Sequence, residues 1–430
     1  MIPPAFSKTF FIENRKQLIE KLNSNSVALL FSNSQMPRNG DQYFPYRQNS
    51  DFFYLTGINQ EKSALLIKKG SNNEEYEEHL FILKSDPNLE MWEGHKLTFD
   101  EAKEISGIES VMLNDSFELE LDKHLTLAPY VYFNLNENVR FTPEIQSKDE
   151  INCSAVKERY PKHKIGRLST IMRDLRLVKK KEEIQAIQHA CDITENAFRD
   201  ILKIIKPGLN EFEIEGEITR AFKKSGTKHH AYEPIIASGK SACILHYIEN
   251  TRKCNNGDLL LMDFGAEWNN YASDLSRTIP VNGVFTERQR ACYQATLRVF
   301  KYVRGLMVPN TTIDKFHQEV CEMWKKEHID LGLYTMKELQ NCTDDQPIWK
   351  TFYPHGTSHF MGLDVHDPGE KSMKLKPGMV LSCEPGLYIP NEGIGIRIEN
   401  DILITEDGNK DLMESIPIEI DEIEMCMQKN

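Results

Sequence analysis

The chain has 430 residues and a formal net charge of −13, with 40% hydrophobic, 27% charged and 9% aromatic side chains. This is ordinary globular composition in a chain too long for one core, so two domains are expected, and disorder or a fibrous repeat is excluded. The acidic balance argues against general nucleic-acid binding, which needs a basic footprint.

No run approaches the ~18 apolar residues of a membrane span. The start, MIPPAFSKTFFIENRK, lacks the basic, apolar and small-residue regions of a signal peptide. Nine cysteines without a CxxC pair then read as reduced thiols of a cytoplasmic protein. The sequons at Asn114, Asn310 and Asn341 are accidental on that reading.

In chain order, Val27 to Phe31, Ala64 to Ile67, Leu80 to Leu83 and Tyr130 to Leu135 read as strands by length and side-chain type. Ser32 to Ser50, rich in Asn, Gln, Pro and Arg, reads as a long loop. Together these predict a small α/β domain over residues 1–172. The cluster Lys179, Lys180, Lys181 is too short for a nucleic-acid site and reads as a solvated helix start. Ile184, Ile187, Cys191, Phe198, Ile201 and Ile205 make one apolar helical stripe, stopped by Pro207-Gly208. Asn210 with Glu213 resembles a capping box opening a second helix that ends at Gly226. Further on, Asp258 to Ala266, Glu267 to Pro280, Met379 to Glu384 and Ile394 to Thr405 read as strands, and Arg288 to Met307 and Ile313 to Lys326 as helices. Hairpins with long helices predict an α+β second domain over 173–430, built on an antiparallel sheet.

The chemistry concentrates in this second part. Asp263 directly follows the apolar run Leu259 to Met262. A hairpin turning between Trp268 and Asn269 would set it opposite Asp274. A turn over Pro390 to Gly393 would likewise set Glu384 opposite Glu399. Facing carboxylates repel each other across a sheet, and a cation removes the penalty. One such pair has an ordinary explanation, a carboxylate reaching water at a strand end; two pairs in one domain are harder to explain so. Four carboxylates would balance two divalent ions, and oxygen-rich ligation with an imidazole suits Mn²⁺, Co²⁺, Fe²⁺ or Zn²⁺.

Imidazoles are at hand. His355, His359 and His366 lie within YPHGTSHFMGLDVHDPG, where Gly356 and Ser358 argue for strand or loop, not for a helical HExxH site. His246 in SACILHYIENTR is weaker alone, and His229 and His230 read as exposed loop residues. Arg397 leaves its strand on the same face as Glu399, as a neutralising partner, a substrate contact or a plain ion pair. GIGIR at 393–397 contains GxG, but no helix follows, so it is no dinucleotide loop. Cys383, in an apolar strand without a base, reads as structural.

The segments LMDFGAEWNNYASDLSRTIPVNGVFT, HGTSHFMGLDVHD, SCEPGLYI and GIGIRIENDILIT resemble the signatures of the pita-bread metallopeptidases. RQNSDFFYLTG and ILHYIENTR narrow the resemblance to the aminopeptidase P (Xaa-Pro aminopeptidase) family. It extends over nearly the whole chain. Phe264 and Ala266 beside the first Asp depart from the pattern only as ordinary variation. The resemblance implies a C-terminal pita-bread fold, a curved antiparallel sheet covered by helices, behind an aminopeptidase-P-like N-terminal domain. It implies two divalent ions, usually Mn²⁺, with Co²⁺ or Zn²⁺ as alternatives. Asp263, Asp274, His359, Glu384 and Glu399 would bind them, with Asp274 and Glu399 bridging. A hydroxide between the ions would attack the first peptide bond of peptides with proline second, Glu384 handling the proton. His246, His355 and His366 would orient the substrate or stabilise the intermediate, and Arg397 matches the family's active-site arginine. A homodimer or homotetramer is implied, with no nucleic-acid or membrane partner. The alternatives are a prolidase, cleaving Xaa-Pro dipeptides, and an inactive binding protein on the same fold.

Overall fold

The computed structural model describes residues 6–137, 144–343 and 347–428. Two compact units divide in sequence between Arg176 and Leu177.

The first unit is built on a six-stranded mixed sheet. Across it run Ser110–Leu113, Tyr76–Ile82, Ala64–Lys69, Ser26–Phe31, Tyr130–Phe133 and Lys164–Arg167. Ser26–Phe31 is buried at every position and pairs antiparallel with Ala64–Lys69 and parallel with Tyr130–Phe133. A strand covered on both faces has no polar alternation, which is why SVALLF is so apolar. All four strands predicted here are present. The Ser32 to Ser50 stretch is less irregular than expected. It holds a short hairpin, Pro37–Asn39 with Gln42–Tyr43, and leads into the helix Ser50–Thr56. Asn49 caps that helix, its side chain accepting from the Phe52 amide at 3.0 Å.

In the second unit the apolar stripe becomes the helix Lys181–Ile204, and the capping box opens Glu211–Lys224, with Glu213 accepting from the Asn210 amide at 2.7 Å. Two further helices, Glu287–Leu306 and Ile313–Asp330, follow at the expected places. All strand pairs described in this unit are antiparallel. The fold is thus α+β, with the α/β unit first.

Two strands predicted as continuous are broken. Glu267 to Pro280 contains a tight hairpin, Glu267–Trp268 with Tyr271–Ala272, before the strand Leu275–Pro280. Asn269 and Asn270 form its tip with φ of 49° and 66°. Asparagine tolerates this left-handed pair, which matches the twist of a two-residue hairpin. The turn therefore lies one residue later than predicted, and Asp263 faces Ser276, not Asp274. Ile394 to Thr405 is likewise split, into Ile394–Arg397 and Asn400–Thr405. Here the predicted register holds. Gly386 pairs with Arg397 on one side of the break and Cys383 with Asn400 on the other, so Glu384 and Glu399 occupy the gap between two ladders in step.

One core histidine makes stability depend on acid. His328, on the Ile313–Asp330 helix, is fully buried against Trp324, Tyr334 and Phe352. Burial drives its imidazole down from 6.5 to about 3. Its neutral form belongs to the folded state. As pH falls below 6.5 the unfolded chain takes up a proton that the folded chain refuses, and stability drops until pH ~3, by at most about 5 kcal/mol. Melting midpoints measured from pH 7 to 4 should fall less steeply in His328→Phe than in the unaltered chain; parallel slopes would contradict this assignment.

Candidate active site

The acidic groups come together because neighbouring segments lock the strand gap. The Glu399 amide donates to Ser276 O at 3.1 Å, and the Glu384 amide to Thr357 O at 3.0 Å. His359 is held against the adjoining strand, its amide donating to Ser382 Oγ at 3.0 Å and its carbonyl accepting from the Ser382 amide at 2.9 Å. Of the strand or loop expected at 355–359, the loop is observed: the segment runs as irregular chain, with a bridge from Phe360 to Leu381 beyond it.

One donor atom each from Asp274, His359 and Glu399 lies within 4.8 Å of the others. His359 Nε2 is 3.4 Å from Asp274 Oδ2, 3.8 Å from Glu384 Oε1 and 4.0 Å from Glu399 Oε1. Asp263 joins through Tyr232, whose hydroxyl is 2.5 Å from both Asp263 Oδ1 and Asp274 Oδ1. All five predicted ligating positions therefore converge, although Asp263 and Asp274 do so diagonally.

Arg397 is buried and hydrogen-bonded from each of its three side-chain nitrogens. It donates from Nε to Ser276 Oγ at 2.8 Å, from Nη1 to Tyr388 Oη at 2.8 Å and from Nη2 to Asp263 Oδ2 at 2.5 Å. Ser276 Oγ in turn donates to Glu399 Oε2 at 2.7 Å. Its contact with Asp263 is an ion pair with a carboxylate of the cluster. His355 lies beside it, Nε2 2.9 Å from Tyr388 Oη and Nδ1 3.5 Å from Glu384 Oε2. A Cβ on Gly386 would sit 2.7 Å from Tyr388 Oη and 2.8 Å from His355 Nε2, so glycine is what leaves room for this contact. His366 meets His359 edge to face, with centroids 4.4 Å apart. His246 lies on an exposed turn after the short helix Gly239–Cys243.

Burial and mutual repulsion govern the charges. Burial, more than the opposing pull of His359 and Arg397, pushes the Glu384 carboxyl up to about 7. Burial, then the charges of Asp274, Glu384 and Asp263, raises Glu399 well above the carboxylate range. Asp263 is raised by burial against the pull of Arg397. His359 is pushed the other way: burial opposes its charge, but Asp274 and Glu384 lift it to about 9. His355, buried and beside Arg397, falls to about 3. Four carboxyls, two buried and two half-buried, thus face one guanidinium and one imidazole. Such a deficit of positive charge is costly unless cations enter. The donor set of four carboxylates and an imidazole fits hard or borderline divalent ions.

Four residues of the cluster carried no prediction. Tyr232, Ser276 and Tyr388 are short-range partners of the acids, and no spacing rule links a tyrosine on the 227–234 loop to carboxylates beyond residue 260. Asp401 is fully buried, accepting from the Asp274 amide at 3.1 Å and from Cys191 Sγ at 3.2 Å. Its place two residues beyond Glu399 was the available signal. His230 also departs from expectation. It is half-buried and contacts Thr219 Oγ1 at 2.9 Å, and burial lowers it to about 4. Cys383 is buried, and burial raises its thiol well above 9, as a structural cysteine requires.

Comparison with known proteins agrees with this geometry. The profile of the aminopeptidase P N-terminal domain matches residues 11–132, and that of metallopeptidase family M24 matches 185–406. The chain is 35% identical to the Xaa-Pro aminopeptidase of Haemophilus influenzae, covering 98% of this chain and 97% of that one. It is 27% identical to human Xaa-Pro aminopeptidase 3, covering 99% and 87%. Among solved structures, proline aminopeptidase P II from Yersinia pestis superposes with a TM-score of 0.90 at 32% identity, covering 99% and 100%. Zinc-substituted Escherichia coli aminopeptidase P in complex with product gives 0.89 at 35% identity, covering 98% of each chain. With a profile matched across the whole acidic cluster and relatives alike along their full length, the chain belongs to metallopeptidase family M24.

Proposed function

We propose that the chain is an Xaa-Pro aminopeptidase, releasing the first residue of peptides with proline in the second position. The observation that carries this is the meeting of Asp263, Asp274, His359, Glu384 and Glu399 in a chain alike over its full length to named Xaa-Pro aminopeptidases. Those five side chains would hold two divalent cations, manganese being our choice, with Asp274 and Glu399 shared. When bound, the ions supply a water activated at neutral pH and Lewis-acid polarisation of the scissile carbonyl.

The protein's own groups do the rest. Glu384 and His359 have side chains 18% and 19% exposed, against 13% for Asp263, 6% for Asp274 and 3% for Glu399. Glu384 is therefore the carboxylate that an entering water and peptide meet, and the group that accepts and returns the proton. His355 stands 3.5 Å from it, and His366 packs on His359; with His246 they contact the substrate and stabilise developing charge. Proline as the second residue presents a tertiary amide with no N–H to satisfy. Arg397 fixes Asp263. Its three observed hydrogen bonds go to Ser276, Tyr388 and Asp263, and the comparison of tripeptide with dipeptide separates an aminopeptidase from a prolidase.

The second unit, within 173–430, carries the chemistry on this reading, and 1–172 is an accessory domain. We place the protein in the cytoplasm as a homodimer or homotetramer. No helix among the described residues is long and apolar enough to cross a membrane, and all nine cysteines are unpaired.

The deciding assay compares an Xaa-Pro-Yaa tripeptide with an Xaa-Pro dipeptide, with metal content measured in the same sample. Turnover of the tripeptide, lost on chelation and restored by Mn²⁺, is expected. Hydrolysis confined to the dipeptide would assign a prolidase instead.

A further inference from the structure

The first unit carries a second group of ligating side chains. Glu77 and His79 are two apart on the Tyr76–Ile82 strand, so both leave the same face. The helix Phe117–Leu125 brings His124 against them, its ring centroid 5.0 Å from that of His79. One donor atom each from Glu77, His79 and His124 lies within 4.8 Å of the others. Glu120, one turn before His124, adds an oxygen 3.6 Å from His124 Nε2.

Three of the four imidazole nitrogens have no hydrogen-bond partner. His124 is 1% exposed, yet neither of its ring nitrogens makes a hydrogen bond, nor does Nε2 of His79. Buried polar atoms in that condition are uncommon and ask for a ligand. His79 Nδ1 is 2.8 Å from Ser110 Oγ, which orients the ring and leaves Nε2 toward Glu77, at 3.6 Å from Oε2. Holding an imidazole by its far nitrogen is the usual support of a metal-bound histidine. The Glu77 side chain is 46% exposed and gives an ion a way in.

We propose that Glu77, His79, His124 and Glu120 form a Zn²⁺ site that ties the Phe117–Leu125 helix to the sheet. Two imidazoles and two carboxylates make a four-donor set that zinc accepts in a closed, structural arrangement. Lys68 and Lys123, now 2.5 Å from Glu77 and 3.1 Å from Glu120, would yield their carboxylates to the ion. This site is separate from the peptidase centre and does not depend on its assignment.

The test counts metal by dialysing the full chain against Zn²⁺ and measuring zinc per chain. His124→Phe removes a ring that makes no hydrogen bond, and His79→Gln keeps a polar group toward Ser110. Each variant should hold one zinc fewer per chain than the unaltered protein and keep full Mn²⁺-supported peptidase activity. Zinc counts equal to the unaltered chain in either folded variant would overturn the proposal, leaving His79 and His124 as a tilted ring pair in contact. A parallel loss of peptidase activity would also overturn it, by tying these residues to the other centre.

Discussion

Asp274→Ala is expected to lower Xaa-Pro-Yaa hydrolysis by a factor on the order of 10³ or more, without unfolding the chain. Asp274 stands at the centre of the cluster, 3.4 Å from His359 and bonded to Tyr232 at 2.5 Å. Its carboxylate is one of the two that both cations would share, so its loss disturbs both at once. The fold should tolerate the change for an electrostatic reason. Its charge is among the causes that raise Asp263, Glu384 and Glu399. Removing it relieves repulsion in the metal-free protein. The metal-free variant should therefore melt no lower than the metal-free parent, while the rise in melting temperature on adding Mn²⁺ should shrink. Retained turnover in Asp274→Ala would remove the two-ion assignment, and a melt far below the parent's would show that Asp274 is mainly structural.

Arg397→Met should act in the opposite sense. The guanidinium is 5% exposed and supplies the only arginine contact to Asp263 among the described residues. Deleting one partner of a buried pair leaves an uncompensated charge and typically costs about 3–5 kcal/mol. The loss should be largest without metal and smaller in Mn²⁺, where cations take over the neutralisation of Asp263. Denaturant unfolding with and without Mn²⁺ measures both values. Equal destabilisation in the two conditions would show that Arg397 supports the fold through Tyr388 and Ser276, not through charge.

Much of this centre was legible before any coordinates, for a reason that differs between the two hairpins. The tip at 390–393 has turn residues at its corners, and the Glu384–Glu399 register follows from it directly. The Asp263 hairpin was misplaced by one residue, because Asn269 and Asn270 both adopt left-handed φ and the tip lies between them. The five positions converge nonetheless, since diagonal neighbours on a sheet, though farther apart than opposed ones, stay within reach of long side chains. Tyr232 stays hidden because it meets the acids through the tertiary fold, at a separation no periodic pattern encodes, whereas Ser276 and Asp401 each lie two residues beyond a predicted acid. In the first unit the apolar strands announced themselves by composition. His79 and His124, 45 residues apart on a strand and a helix, did not.

The break between the two strand ladders has a further consequence. Side chains alternate faces along each arm, so one residue inserted between Glu399 and the tip would turn that carboxylate away from the cluster, whereas two would restore its direction. Descent can therefore lengthen this arm only by even steps if the carboxylate is to keep its direction.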